Sequence, residues 1–314
     1  MSLAMPAAAP EVSILVPAKD EAENLPELVK QVREAMVGQS YAAELVIVDD
    51  GSTDNSAEVL KDLAARHGFI QVVTHRSRRG IADALRSAAD AARGHILVFW
   101  PADLQYLPAD IPALVAPILA NEADIVTGTK QGHYEKRFVS WVYNVLCRLL
   151  FGVRVTDLNS VKAYRREVVE AIPTRPDWHR FMVVIAAVQG YRVTSRPVPV
   201  HPRRAGKSKF GLSRIPVGVL DLVSVWFQLR FGRKPMLFFG VSGAVLVLLG
   251  VVVGIYAIIE RYVFGIGFRP WLYLVILLVL AGLVLFGFGF VGELVAGMRD
   301  ELRALGDRSS GGRP

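Results

Sequence analysis

At 314 residues the chain has room for one large domain and an appendage, and its 52% hydrophobic content and mean hydropathy of +0.36 are high for a soluble protein. A net charge of +7 with a pI near 9.6 calls for an anionic partner, either nucleic acid or an anionic membrane face. The lone Cys147 excludes an internal disulfide framework and a cysteine metal site, and it suits a reducing, cytosolic setting.

Residues 1–10, MSLAMPAAAP, have neither the basic start nor the apolar stretch of a signal peptide and are expected to be disordered. Val12 to Val16 reads as a short buried strand ending at Pro17. Lys19 to Asn24 follows, with acids at the start of a helix that runs to about Val37. Glu44 to Val48 is a second strand opening into Asp49-Asp50-Gly51-Ser52-Thr53-Asp54, a stretch that supplies a turn and a helix cap without any further role. A third strand, Ile70 to Thr74, precedes a helix of small residues from Arg79 to Ala92. Ile96 to Trp100 is the fourth, an apolar run that breaks at Pro101 and delivers Asp103, with Gln105 two residues on. Strand and helix alternate, which predicts an α/β fold with a mostly parallel sheet and helices on both faces. Ligands of such sheets bind at the carboxyl ends of the strands, where this chain puts Asp20-Glu21, Asp49-Asp50 and Asp103. An acid-lined edge suits sugar or base hydroxyls and a hard cation, and it argues against a nucleic acid backbone.

Val16-Pro17-Ala18-Lys19-Asp20-Glu21-Ala22-Glu23-Asn24-Leu25-Pro26 and Val46 to Asp54 resemble the two opening motifs of family 2 glycosyltransferases of GT-A fold. Ala102-Asp103-Leu104-Gln105 resembles the end of the Asp-Ala-Asp-Leu-Gln metal motif in the polyprenyl-phosphate branch, the dolichyl-phosphate mannose synthase-like enzymes. The resemblance covers residues 12 to about 210 and implies a Rossmann-like GT-A catalytic domain. It implies that Pro17, Ala18, Asp20, Glu21, Asp50 and Ala102 contact a nucleotide sugar, and that Asp103 and Gln105 hold Mg2+ or Mn2+ on its diphosphate. Pro101 stands where the motif has its first Asp and cannot ligate. A weakened metal site, a metal held by substrate phosphates and water, and an impaired enzyme all remain open at this point.

Asp124 to Gly128 is a fifth strand. Phe138 to Phe151 mixes apolar positions with Arg148 and suits either a helix on the membrane surface or one packed on the sheet. Thr156 to Arg166 resembles the family segment that places an acid near the reacting centre, here Asp157, and a basic residue toward the acceptor phosphate, here Lys162; a turn cap is the simpler role for Asp157. Asp177 to Phe181 resembles an acceptor-side motif, with His179 and Arg180 toward the phosphate. Tyr191 to Val200 reads as a strand running into Pro-rich chain. From Arg196 to Arg214 there are six basic residues and no acid, and Gly206-Lys207-Ser208-Lys209 resembles a family loop that closes over phosphates with Arg203, Lys207 and Lys209. Attachment to anionic lipid, worth about 1 kcal/mol per basic residue, is compatible with that role.

Ile215 to Phe231 reads as an interfacial helix. Met236 to Ile259 and Trp271 to Gly292 are 24 and 22 residues without a charge, against the roughly 20 that a spanning helix needs. Arg230, Arg233 and Lys234 before the first span and Arg299, Arg303 and Arg308 after the second predict both termini and the catalytic domain on the cytoplasmic side. Gly287, Gly289 and Gly292 form a GxGxxG inside an apolar span, a chance match to a dinucleotide motif. Gly250 and Gly254 let helices approach closely, within one chain or between copies, which leaves a homo-oligomer open. The expected division is a catalytic domain over 11–210, a juxtamembrane helix over 211–234, two transmembrane helices over 235–296 and a cytoplasmic tail over 297–314.

The function expected from this combination is transfer of a sugar from a UDP- or GDP-linked donor to a polyprenyl phosphate at the membrane, with no nucleic acid partner. A processive polysaccharide synthase lacks support, because no Gln-x-x-Arg-Trp motif and no larger bundle of spans is present. A catalytically weak nucleotide-sugar scaffold for a membrane enzyme is kept in view by Pro101.

Overall fold

The computed structural model describes residues 9–131, 145–152, 160–172, 181–201, 215–267 and 269–310. The predicted roles of Asp157, His179, Arg180, Arg203, Lys207 and Lys209 lie outside the described residues. Two compact units are formed, Met1–Leu222 and Val223–Pro314.

The first unit is built on seven strands: β1 Val12–Ala18, β2 Ala43–Asp49, β3 Ile70–Thr74, β4 Ile96–Phe99, β5 Ile125–Gln131, β6 Lys162–Arg165 and β7 Val193–Pro199. Their order across the sheet is β3-β2-β1-β4-β6-β5-β7. Every described pairing is parallel except those of β6, which runs antiparallel to both β4 and β5. The mostly parallel α/β sheet expected from the alternation is therefore present, with one reversed strand inserted at its middle. The reversal brings the start of β6 to the finish of β4: Lys162 pairs with Phe99 and with Thr127.

The inner strands β1, β2 and β4 are buried on both faces, as parallel strands between helical layers must be, so they read as continuous apolar runs, while the edge strands β3 and β7 are mostly half-buried. Val12, Ile14 and Val16 of β1 join a core with α1 Leu25–Met36, α2 Ser56–Arg66 and α4 Ile111–Leu119, which follows a 3-10 turn at Pro108–Asp110. Leu15, Val46 and Leu97 are buried toward the other face, where α3 Ile81–Ala91 packs on β1 and β2 through Ala84, Leu85, Ala88 and Ala89. Short helices follow: α5 over 145–151, α6 Arg166–Ala171 and α7 Met182–Val188. The segment Ile215–Phe231 predicted as a helix is one, α8.

In the second unit, α9 Pro235–Val263 and α10 Arg269–Ser310 form an antiparallel hairpin. Both are long and apolar enough to cross a bilayer, with mean hydropathies of 2.7 and 3.0 over the spans. Glycine lets their backbones meet. A Cβ on Gly243 would fall 2.5 Å from the Gly282 carbonyl oxygen, and one on Gly282 would fall 2.6 Å from the Gly243 oxygen. Gly250 also approaches α10 closely, a Cβ there falling 2.8 Å from Val279, whereas one on Gly254 would meet Val275 at an ordinary 3.7 Å.

Candidate active site

The carboxyl ends of β1, β2 and β3 carry three loops that are stapled to one another. Asp20 holds a left-handed backbone, φ 55°, which a short side chain able to bond locally tolerates best. Its Oδ1 accepts the Thr53 N–H at 2.7 Å and the Thr53 hydroxyl at 3.2 Å, while its own N–H donates to Ser52 Oγ at 2.9 Å. Glu21 N–H donates to Ser56 Oγ, Ala22 N–H to Asp54 Oδ2, and Lys19 Nζ to the Gly51 oxygen at 2.8 Å. The Glu21 carboxylate is engaged by Asn24 at 2.7 Å. The Thr53 N–H bond holds the Asp20 carboxyl below the usual range against the opposing effect of partial burial.

Asp50 ties the second loop to the third. Its Oδ1 takes the Arg79 N–H at 2.8 Å and lies 2.9 Å from His75 Nδ1, and its Oδ2 takes the Gly80 N–H at 2.8 Å. The other ring nitrogen of His75, Nε2, lies 2.9 Å from Ser87 Oγ on α3. Burial works to raise the Asp50 pKa, but the Arg79 N–H, the His75 ring and the Gly80 N–H together outweigh it and hold the carboxylate ionised below its usual range. Asp49, its neighbour, closes the turn by accepting the Ser52 N–H at 2.9 Å. The turn bond is therefore made by Asp49, the first N–H of the following helix, that of Ser56, is taken by Asp54 Oδ1 at 3.0 Å, and Asp50 does something different.

The β4 loop has a different construction. Trp100 is fully buried, and Ala102, Leu104 and Tyr106 are buried in alternation with half-buried Pro101, Asp103 and Gln105. The apolar members anchor the loop in the α1–α4 core. The alternation leaves Asp103 and Gln105 as the accessible members, with Asp103 Oδ1 accepting the Gln105 N–H at 3.3 Å. Leu104 between them has φ 55°. One carboxylate and one amide suit a hard cation that keeps its waters and binds substrate phosphates, since such ions use only one or two protein carboxylates. Among the described residues no group of three His, Cys, Asp or Glu stands close enough to hold a metal by protein ligands alone. The residues fit a metal that arrives with its diphosphate.

Pro17 and Ala18 close β1 beside this edge, and Asp50 N–H donates to the Ala18 oxygen at 2.9 Å. Lys162 is 6% exposed, and its Nζ donates to the Ser160 oxygen at 3.1 Å, so the ammonium is held inside the sheet edge rather than displayed. The structure thus brings Pro17, Ala18, Asp20, Glu21 and Asp50 into one platform. Ala102, Asp103 and Gln105 follow β4 in its loop, and Lys162 opens β6 opposite Phe99 at the end of β4.

Sequence reasoning missed the buttress of His75, Ser87 and the Arg79–Gly80 amides. The signal was His75 directly after β3, at the same sheet edge as Asp50. It also missed His201, whose N–H donates to the Gln105 oxygen at 2.8 Å and pins the start of the basic segment to the β4 loop. Gly51 is a third omission: at φ 67° it lets the second loop touch the backbone of Ser77 and Arg78.

Residues 13–172 match the family described as glycosyl transferase family 2. The chain is 32% identical to dodecaprenyl-phosphate galacturonate synthase of Rhizobium johnstonii, across 91% of this chain and 88% of that protein. It is 30% identical to undecaprenyl-phosphate 4-deoxy-4-formamido-L-arabinose transferase of Pseudomonas savastanoi pv. phaseolicola, across 93% and 88%. In fold it is similar to glucosyl-3-phosphoglycerate synthase from Mycobacterium tuberculosis, crystallised with Mn2+ and UDP, with a TM-score of 0.56 and 20% identity over 69% of this chain and 80% of that one. The family match takes in half of the chain and all the loops of the platform, and the two relatives align through the apolar hairpin as well. With its stapled acid loops at the carboxyl edge of a 3-2-1-4-6-5-7 sheet, the chain belongs to glycosyl transferase family 2, a glycosyltransferase of GT-A fold.

Proposed function

We propose that this glycosyltransferase moves a sugar, with inversion, from a UDP- or GDP-linked donor to a polyprenyl phosphate at the cytoplasmic face of a membrane. The observation that carries the reading is continuity: relatives named for dodecaprenyl- and undecaprenyl-phosphate acceptors match across both the sheet unit and the apolar hairpin. A polyprenyl tail lies in the bilayer with its phosphate at headgroup level, so an enzyme acting on it gains from carrying its own spans.

The stapled loops of Asp20, Glu21 and Asp50 bind the nucleotide, with Pro17, Ala18 and Ala102 as the backbone beside it. Asp103 and Gln105 hold Mg2+ or Mn2+, which when bound neutralises the charge that develops on the leaving diphosphate. The acceptor is a phosphate monoester, largely ionised near neutral pH because its second pKa is about 6, so a strong general base is unnecessary. Its oxygen forms a bond to the anomeric carbon as the bond to the nucleoside diphosphate breaks on the opposite face, giving a β-linked product from an α-linked donor. Asp157 orients the acceptor or the sugar. Lys162 supports the local charge from within the sheet, and His179, Arg180, Arg203, Lys207 and Lys209 attract the acceptor phosphate.

The test is transfer by the purified full-length protein to undecaprenyl phosphate, with a panel of UDP- and GDP-sugars and with Mg2+, Mn2+ or EDTA. One donor should be used, EDTA should abolish turnover, and Asp103→Ala should lower it by 100-fold or more. Pro101 supports a second reading, a nucleotide-sugar-binding scaffold with little turnover. Saturable donor binding by the wild type without transfer from any donor would establish that reading and remove the first.

A further inference from the structure

His75 sits directly after β3 at the sheet edge, beside Asp50. Its ring is nearly enclosed, with 4% of the side chain exposed, and both nitrogens have partners. A carboxylate only accepts hydrogen bonds, so Nδ1 carries the proton donated to Asp50 Oδ1. In the neutral ring Nε2 is then an acceptor, and the Ser87 hydroxyl donates to it. Ser87 belongs to α3, the helix packed on β1 and β2, so the ring's tilt is held by that helix while the Asp50 carboxylate sets its tautomer.

The consequence falls on Asp50. A carboxylate has about four acceptor positions. His75 and Arg79 occupy Oδ1, whereas Oδ2 takes only Gly80 among the bonds described. The two backbone donors come from one peptide turn and fix where the carboxylate sits. The side-chain donor fixes the rotation of its plane, and so the direction in which the second Oδ2 lone pair points.

We propose that His75, held by Ser87, is a positioning residue for the donor site: it aims Oδ2 of Asp50 at an N–H or O–H of the nucleoside part of the donor. This rests on the reading that the stapled loops bind the nucleotide. His75 touches no substrate. Its contribution belongs to donor affinity, and the chemical step proceeds elsewhere, at Asp103.

The experiment is steady-state kinetics of full-length His75→Leu, His75→Asn and Ser87→Ala with the donor that the wild type uses, alongside thermal unfolding. Asn can place its amide N–H where Nδ1–H was but cannot reach Ser87. We expect His75→Leu to raise the donor KM about tenfold, the typical scale for a lost hydrogen bond to a charged group, with kcat within about twofold. His75→Asn should recover most of that loss, and Ser87→Ala should raise the donor KM about threefold. The acceptor KM should not move in any of them. A donor KM unchanged in His75→Leu, with only kcat or the melting temperature reduced, would overturn the proposal, as would equal KM values for the Leu and Asn variants. Should His75→Leu fail to fold, Ser87→Ala decides: an unchanged donor KM there refutes the positioning role. Failure of the proposed function would appear differently, as absence of transfer by the wild type.

Discussion

Gly51 follows Asp50 at φ 67°, and a Cβ there would fall 2.7 Å from the backbone of Ser77 and Arg78. An alanine would meet backbone that cannot step aside and would also be strained by its own conformation. Gly51→Ala should therefore destabilise the fold by roughly 1–3 kcal/mol, seen as a lower melting temperature, and should weaken donor binding because it pries the second loop from the third. Gly51 was legible in the sequence only as a turn residue; its contact with Ser77 depends on β2 and β3 being neighbours, which no local pattern encodes. Asp103 and Gln105 were legible, because the break at Pro101 after an apolar run announces a strand end. Pro101 offers a gain-of-function test. If the metal is held weakly for want of a second carboxylate, Pro101→Asp should lower the Mn2+ concentration giving half-maximal transfer by about tenfold, measured by metal titration of activity in chelator-treated protein. An unchanged metal requirement would show that substrate phosphates and water already complete the ligand set.

Between elements, a few polar side chains join pieces that the apolar pattern leaves loose. Arg166 opens α6 and reaches back to α3 and its exit: Nε donates to the Gly94 oxygen at 2.9 Å, and the terminal nitrogens donate to Ala92 at 2.7 Å and Ala89 at 3.3 Å. These carbonyls lie at or just beyond the C-terminus of α3, where helices leave oxygens unsatisfied. With the side chain three-quarters buried, Arg166→Ala should cost about 2 kcal/mol by thermal or urea unfolding, while Arg166→Lys recovers only part because a single ammonium cannot span three carbonyls. The antiparallel β6 shows why the sequence was an incomplete guide at this scale. Lys162 to Arg165 is four residues long, without a turn signal that marks its direction, and its partners β4 and β5 are set by crossovers far away in the chain. Helix existence was legible from periodicity, and spans from length. Which glycines of the spans are buried was not, because a glycine in an apolar run looks the same on either side of a helix. The hairpin separates them: Gly243 is pressed against Gly282, whereas Gly287 has nothing within 4 Å of where a Cβ would be. In detergent, Gly243→Val should lower the melting temperature by several degrees and Gly287→Val should leave it unchanged.

At the level of the whole chain, the two units are held by different forces and should respond differently to acid. The sheet unit uses ionised carboxylates as struts. Asp124 binds Arg192 through its side chain at 2.7 Å and its backbone N–H at 2.8 Å, and Arg165 at 3.2 Å, which brings its pKa down from 3.8 to about 2. Asp20, Glu44, Asp50 and Asp54 are lowered as well, Glu44 despite burial through the Arg93 N–H, Ser13 and the Arg93 side chain. A carboxylate whose folded pKa is depressed contributes stability that is complete above its unfolded pKa, near 4, and is lost as the pH falls toward the folded value. Among the described carboxylates Asp110 runs the other way, its pKa raised by burial, so its protonation on acidification opposes the trend weakly. The sum predicts a sheet unit that is stable above about pH 5 and loses stability between about pH 4 and pH 2, with Asp124 contributing about 1 kcal/mol once solvent screening at the half-exposed Arg192 is allowed for. The hairpin rests mainly on glycine contacts and apolar faces that acid does not alter, with the Glu293 carboxylate accepting the Met236 N–H at 3.3 Å as its carboxylate link among the described bonds. Full-length protein in detergent, titrated from pH 7 to pH 2.5, should therefore lose the tertiary signal of Trp100 while much of the helical circular dichroism of α9 and α10 persists. Asp124→Asn should flatten the acid limb of the melting temperature against pH and leave its neutral plateau lower. If both signals instead collapse together, the two units unfold as one cooperative body. If Asp124→Asn keeps the wild-type acid slope, the strut lies elsewhere among the depressed carboxylates.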